Sequence, residues 1–164
     1  MKTGFSGFSY PILCLILGGG AGFAHAGDAA GVLDRCLADS DRVTVSAMAG
    51  PAEDIPAQLP VLAGRDSGCI GTALSACTIR PFTSRACLDD LSRLLGSRLD
   101  STTARHPDGD DRPEALRAAH DHWRTSAPDP CTVGDKAVCT ALGLGGRLIE
   151  ARGWQRRFDL EAVK

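Results

Sequence analysis

Three groups of side chains in this 164-residue chain are of types that can do chemistry. The first is His120-Asp121-His122, a metal-ligating composition. Positions i and i+2 of a helix point about 200° apart, so the two imidazoles diverge and a solvated helix face is expected. The second is His106 with Asp108, Asp110 and Asp111, a cation-loop composition. It lacks the later Glu that completes an EF-hand, so a solvated loop is expected. The third is the cysteines: Cys14, Cys36, Cys69, Cys77, Cys87, Cys131 and Cys139. A thiolate is a nucleophile and a metal ligand, but the chain has no Cys-x-x-Cys and no Cys-x-x-Cys-His haem attachment. Spacings of eight residues from Cys69 to Cys77, ten to Cys87, and eight from Cys131 to Cys139 fit no zinc pattern. Nucleophilic catalysis needs a nucleophile beside an oriented base, and no Gly-x-Ser-x-Gly elbow is present. The expectation is no catalytic residue, no cofactor-binding residue and no metal ligand.

The N-terminus decides how the cysteines are read. Lys2, an apolar run from Tyr10 to Leu17, and Ala24-His25-Ala26 have the order of a secretory signal peptide with a small-x-small cleavage site. A membrane span needs about 20 apolar residues, roughly twice this run. The expected organisation is a signal peptide over 1–26, which removes Cys14, and a periplasmic or secreted product. Removing residues 1–26 from 164 leaves 138, enough for one domain with a modest core. The net charge of −2 includes Lys2, so the remainder carries −3, and nothing in that balance suggests nucleic acid. Six cysteines in an exported chain read as a disulfide framework, and a disulfide sulfur is no thiolate. Six cysteines allow fifteen pairings, and their number and spacing alone do not choose among them.

These residues must be held by helices. Ala29, Val32, Leu33, Cys36 and Leu37 recur with a 3.6-residue period over 28–40. Pro51, Pro56 and Pro60 with Gly50 and Gly64 predict an irregular connector over 41–66. Cys69, Ala73 and Cys77 share a face of a helix over 66–78. Eight residues of helix rise about 12 Å, beyond the roughly 7 Å a disulfide spans between Cα atoms, so Cys69 and Cys77 need other partners. Pro81 breaks the chain in a loop over 79–86, and Ser84 can cap the next helix. That helix is the clearest in the chain and carries Leu88, Leu91, Leu95 and Leu99, with Asp89 and Asp90 in its expected first turn. Asp111, Pro113 and Glu114 open another by a capping-box arrangement, with Leu116, Ala119 and Trp123 on one face and His120 beside them. Asp135 caps a last helix to about residue 152, with Val138, Cys139, Leu142, Leu148 and Ile149 inward. The expected fold class is all-α: a small disulfide-stapled bundle of four to five helices, with Leu91, Leu95, Leu99 and Trp123 in its core.

One further group is a recognition composition. Arg80, Phe82 and Arg85 lie between Cys77 and Cys87, and an aromatic with two arginines is typical of interface hot spots. Three stretches together resemble the LprI-type lysozyme inhibitor family of bacterial envelope proteins. They are Cys69-Ile-Gly-Thr-Ala-Leu-Ser-Ala-Cys77, then Ala86-Cys-Leu-Asp-Asp-Leu91 leading to Arg98-Leu-Asp100, then Leu116-Arg-Ala-Ala-His-Asp-His-Trp123 followed by Cys131 and Cys139. The resemblance covers residues 67–152. The family's Leu-Asn step is Leu99-Asp100 here, its following Tyr is Thr103, its Gln is His120, and its aromatic-Arg-Asp step is Ser126-Ala127-Pro128. Scaffold residues carry over better than polar ones. The resemblance implies a non-enzymatic helical domain over 67–164 that binds lysozyme or another wall-degrading enzyme, preceded by an N-terminal helix and connector over 27–66. The alternative is an envelope interaction module with a different partner. Within this frame, local closure favours Cys36–Cys69, Cys77–Cys87 and Cys131–Cys139.

Overall fold

A computed structural model describes residues 27–51, 53–79, 84–106, 112–126 and 134–162. The expected signal peptide lies outside these residues. The chain forms five α-helices, with no strand among the described residues: α1 (Gly27–Met48), α2 (Ile55–Thr78), α3 (Ser84–Thr103), α4 (Glu114–Thr125) and α5 (Lys136–Glu161). The all-α, disulfide-stapled fold is the one expected.

Helices α1 and α2 form an antiparallel hairpin. Ala29, Leu33 and Leu37 recur every four residues on the buried face of α1. The Cys36–Cys69 disulfide and the Ser40–Asp66 hydrogen bond fix the direction, since the partner number falls as α1 advances. The irregular connector expected over 41–66 is not there. Helix α1 runs on to Met48, and α2 begins at Ile55 and crosses residue 66 unbroken. Pro56 sits at the start of α2, where a missing N–H costs nothing. Pro60 lies inside the helix, one turn later, where it removes a single hydrogen bond. Packing of Ile55 and Leu62, 3% and 1% exposed, outweighs that loss.

Helices α2 and α3 form a second hairpin, closed by Cys77–Cys87 with a Cα–Cα distance of 5.4 Å. Leu88, Leu91 and Leu95 are buried along α3, as the leucine spacing predicts, while Leu99 is half-buried. Helix α3 starts at Ser84 itself, which moves Asp89 and Asp90 out of the first turn.

Helix α5 is antiparallel to α2: Gly145 meets Ile70, and Arg152 meets Asp66. It is therefore parallel to α3, and α4 is the crossover that returns the chain. Asp135 caps α5 as expected, its carboxylate accepting from the Ala137 and Val138 amides. Gly145 permits the α2–α5 approach, because a Cβ there would lie 2.7 Å from Ile70 Cγ2. The helix continues past the expected end at 152, because Trp154, Phe158 and Leu160 extend its buried face. Leu142, expected inward, is exposed, because the buried stripe runs instead through Ala141, Gly145, Leu148 and Ala151. Among the described residues no helix is long and apolar enough to cross a membrane.

Candidate functional site

Cys77 near the end of α2 and Cys87 in the first turn of α3 are joined by a disulfide, which ties together the ends of the segment between them. Arg85 is exposed beside it on the first turn of α3. Arg80 and Phe82 lie outside the described residues, as does Cys131. Cys139 is disulfide-bonded, so every described cysteine is oxidised and none offers a thiolate.

The structure brings together residues that their spacing in the sequence left apart. His106, just beyond the end of α3, and His120 on α4 are 6% and 4% exposed, not solvated as expected. His106 Nδ1 lies 3.0 Å from His120 Nε2, and His106 Nε2 lies 2.9 Å from the Ala151 carbonyl oxygen of α5. A carbonyl only accepts, so His106 Nε2 carries the hydrogen. In the neutral pair His106 Nδ1 must then accept from His120 Nε2–H. Burial is the main influence holding both imidazoles below their ordinary pKa. Arg124 and Arg112 push both further down, Arg105 adds to this at His106, and each proton on His106 would repel one on His120. The Ala151 hydrogen bond and Asp121 act in the opposite direction on His106 and His120 respectively.

Aromatic rings enclose the pair. Trp123 stacks on His120 at 5.6 Å between centroids, and Trp154 and Phe158 present edges to it at 5.2 and 5.0 Å. Three guanidiniums lie over the rings: Arg112 over Phe158, Arg147 over Trp123 and Arg157 over Trp154. Trp123, expected in the core, is only half-buried, because its indole N–H reaches the exposed Glu150 at 2.7 Å. Arg147 donates to the Trp123 carbonyl, tying α4 to α5 a second time. A cleft of about 390 Å³ opens here, lined among others by Leu99, Asp100, His106, Trp123, Arg124 and Arg147. Both ring nitrogens of His106 are engaged within the protein, so the cleft offers stacking, cationic and hydrogen-bonding contacts. His122 is exposed, as expected. Asp108, Asp110 and Asp111 lie outside the described residues. Among the described residues no three His, Cys, Asp or Glu side chains gather to hold a metal.

A second polar cluster lies inside the bundle. Asp66 is 0% exposed. Its carboxylate accepts from Ser40 at 2.6 Å and from Arg152 at 2.9 and 3.2 Å. Arg152 also donates to Asp41 on α1. Burial works against the Arg152 charge, but the hydrogen bond and charge of Asp66, with those of Asp41, outweigh it and raise its pKa. Arg156 is less well served: its Nη2 lies 2.9 Å from Asp66, off hydrogen-bond alignment, and Nη1 has no protein partner. Burial lowers its pKa, with Asp66 opposing. This cluster ties α1, α2 and α5 together.

One signal could have found the histidine pair. His120 falls on the Leu116–Trp123 face of α4, where a solvated side chain is out of place. Nothing comparable marks His106, Asp66 or Arg156. No family model, curated protein or solved structure matches the chain.

Proposed function

We propose that this chain is an exported, non-enzymatic binding protein of the bacterial envelope that blocks lysozyme or a related wall-degrading enzyme. The observation that carries the reading is the Cys77–Cys87 disulfide, which closes a covalent ring around the segment whose sequence includes Arg80, Phe82 and Arg85. A loop held at both ends loses less conformational freedom on docking, which favours affinity. Many lysozymes are basic and work with two carboxylates in a cleft. An arginine-bearing loop on a chain of net charge −2 complements both the cleft and the surface around it. The resemblance over 67–152 supports the same target class. Disulfides persist where the surroundings are oxidising, which agrees with the signal-peptide reading of residues 1–26.

The test is turbidimetric lysis of a wall suspension by a c-type lysozyme, with and without the purified, oxidised protein. Dose-dependent inhibition, lost on reduction and weakened by Arg80→Ala with Arg85→Ala, is the expected result. No inhibition at a large molar excess would move the function to an envelope module with another partner. Inhibition unchanged by the double arginine variant would remove the loop from the mechanism.

A further inference from the structure

Helix α4 is joined to the bundle in an unusual way. Its polar side chains dominate, and its one fully buried residue is His120. Leu116 and Trp123, on the same face, are only half-buried. The backbones of α3 and α5, and of α1 and α2, approach closely along their lengths, whereas α4 approaches none of them to that extent. What holds α4 is a set of side-chain contacts centred on one titratable pair. Most helices dock through apolar groups that do not respond to pH.

We propose that the His106–His120 pair is an acid-released latch, holding α4 against α5 when neutral and letting it open when protonated. The hydrogen-bond directions explain why. Both rings use Nε2 as donor, His106 to the Ala151 carbonyl and His120 to His106 Nδ1. A proton added to His106 Nδ1 turns the acceptor of the His106–His120 bond into a donor facing a donor, and the bond is lost. A proton added to His120 Nδ1 leaves the bond but places a charge within an already cationic shell. A second proton has only His106 Nδ1 to occupy.

Cations outnumber anions in the shell around these protons. The end of α3 contributes Arg105 and Asp100. Arg112, Asp121 and Arg124 come from α4 and the residues before it. Helix α5 contributes Arg147, Glu150 and Arg157, the first and last lying over Trp123 and Trp154. Only apolar side chains of α2, among them Leu59, Pro60 and Ala63, reach the groove at Trp154. Five guanidiniums thus face three carboxylates. Opening relieves the repulsion by returning His120 and the half-buried Arg112 to water and carrying both away from the guanidiniums of α5, and it uncovers the Trp154 and Phe158 faces of α5. The latch stands independently of the proposed target.

The experiment is hydrogen exchange of the oxidised full chain, resolved by segment, between pH 7.5 and 4.5 and corrected for intrinsic rates. The chain's two tryptophans, Trp123 and Trp154, both lie in this cluster, so their emission reports on it directly. The opening constant of α4 is expected to rise about tenfold per pH unit for each proton taken up, while α1, α2 and α3 stay protected. The variant His106→Gln with His120→Gln keeps an amide pair able to donate and accept but unable to take a proton. In it the acid-dependent opening is expected to vanish. Opening of the variant over the same pH range, or wild-type protection of α4 that does not change down to pH 4.5, would overturn the proposal. Should the variant not fold, ring NMR of the wild type decides. Imidazole titration that coincides with α4 opening supports the latch, and titration without opening refutes it.

Discussion

Replacing Asp66 by Asn removes one charge and almost no volume, which makes it a clean probe of the buried ion cluster. In the wild type this carboxylate accepts from Ser40 and twice from Arg152, and stands 2.9 Å from Arg156 Nη2. The asparagine retains an acceptor for Ser40 but turns an amide N–H₂ toward guanidinium N–H groups. Arg152 still has Asp41, so most of the cost falls on Arg156, which is 4% exposed and keeps the weaker attraction of Asp41 in place of a direct ion pair. Breaking a buried pair by deleting one partner costs about 3–5 kcal/mol. In a domain of this size that lowers Tm by roughly 10–20 °C. The reverse deletion, Arg156→Met, is expected to cost less than about 1 kcal/mol or to stabilise, since Asp66 keeps Ser40 and Arg152 while two poorly satisfied donors leave the interior. The double variant should regain much of what Asp66→Asn loses. Equilibrium unfolding in urea of the two single variants and the double variant measures all three. Equal losses for the two single variants, or an Asp66→Asn cost under about 1 kcal/mol, would refute the reasoning.

Three other outcomes are expected. Removing Cys36–Cys69, which spans 33 residues, should cost about 4 kcal/mol, against about 3 for Cys77–Cys87, which spans 10; paired Cys→Ser variants compared in urea give the order. Gly145→Ala drives a methyl into Ile70 and should lose about 1–3 kcal/mol, whereas Gly146→Ala meets nothing within 4 Å and should gain up to about 1, both read as Tm shifts. Because His106 and His120 are held below 6.5 in the fold, the unfolded chain binds more protons under that pH. Stability is then fully present above pH 6.5 and falls as the pH drops through the folded values; a Tm that rises on acidification from 6.5 would contradict the sign.

The periodic parts of this fold could be read from the residues. Leu88, Leu91 and Leu95 mark α3 because repeated burial on one face leaves a repeated letter. Asp135 marks the start of α5 because a cap is a local device, contained within three residues. Cys69 and Cys77 could be kept apart because a helix fixes their distance. What the sequence hid was set by distant packing. Pro56 and Pro60 read as breakers, yet the first is placed where a helix tolerates proline and the second is overridden by the face that α2 buries on α1. His106 and His120 read as solvated because each is judged alone by its polarity. Their burial depends on meeting each other across fourteen residues, and on Ala151. Asp66 and Arg152 are 86 residues apart, and neither carries a local sign of the other.

The order of the disulfides has a consequence for how the chain is made. Counting from Cys36, the first cysteine bonds the second and the third bonds the fourth. A polypeptide entering an oxidising compartment from its N-terminus presents these thiols in that same order. Cys69 arrives while Cys36 is the only thiol waiting after residue 26, and Cys87 arrives after that first pair is closed. A simple oxidant acting on each new thiol as it emerges therefore forms these two bridges in turn, without reshuffling between them. Full denaturation and reduction discard that timing, so refolding of the whole chain in a tube meets all the alternative pairings at once and depends on disulfide exchange to reach the same end.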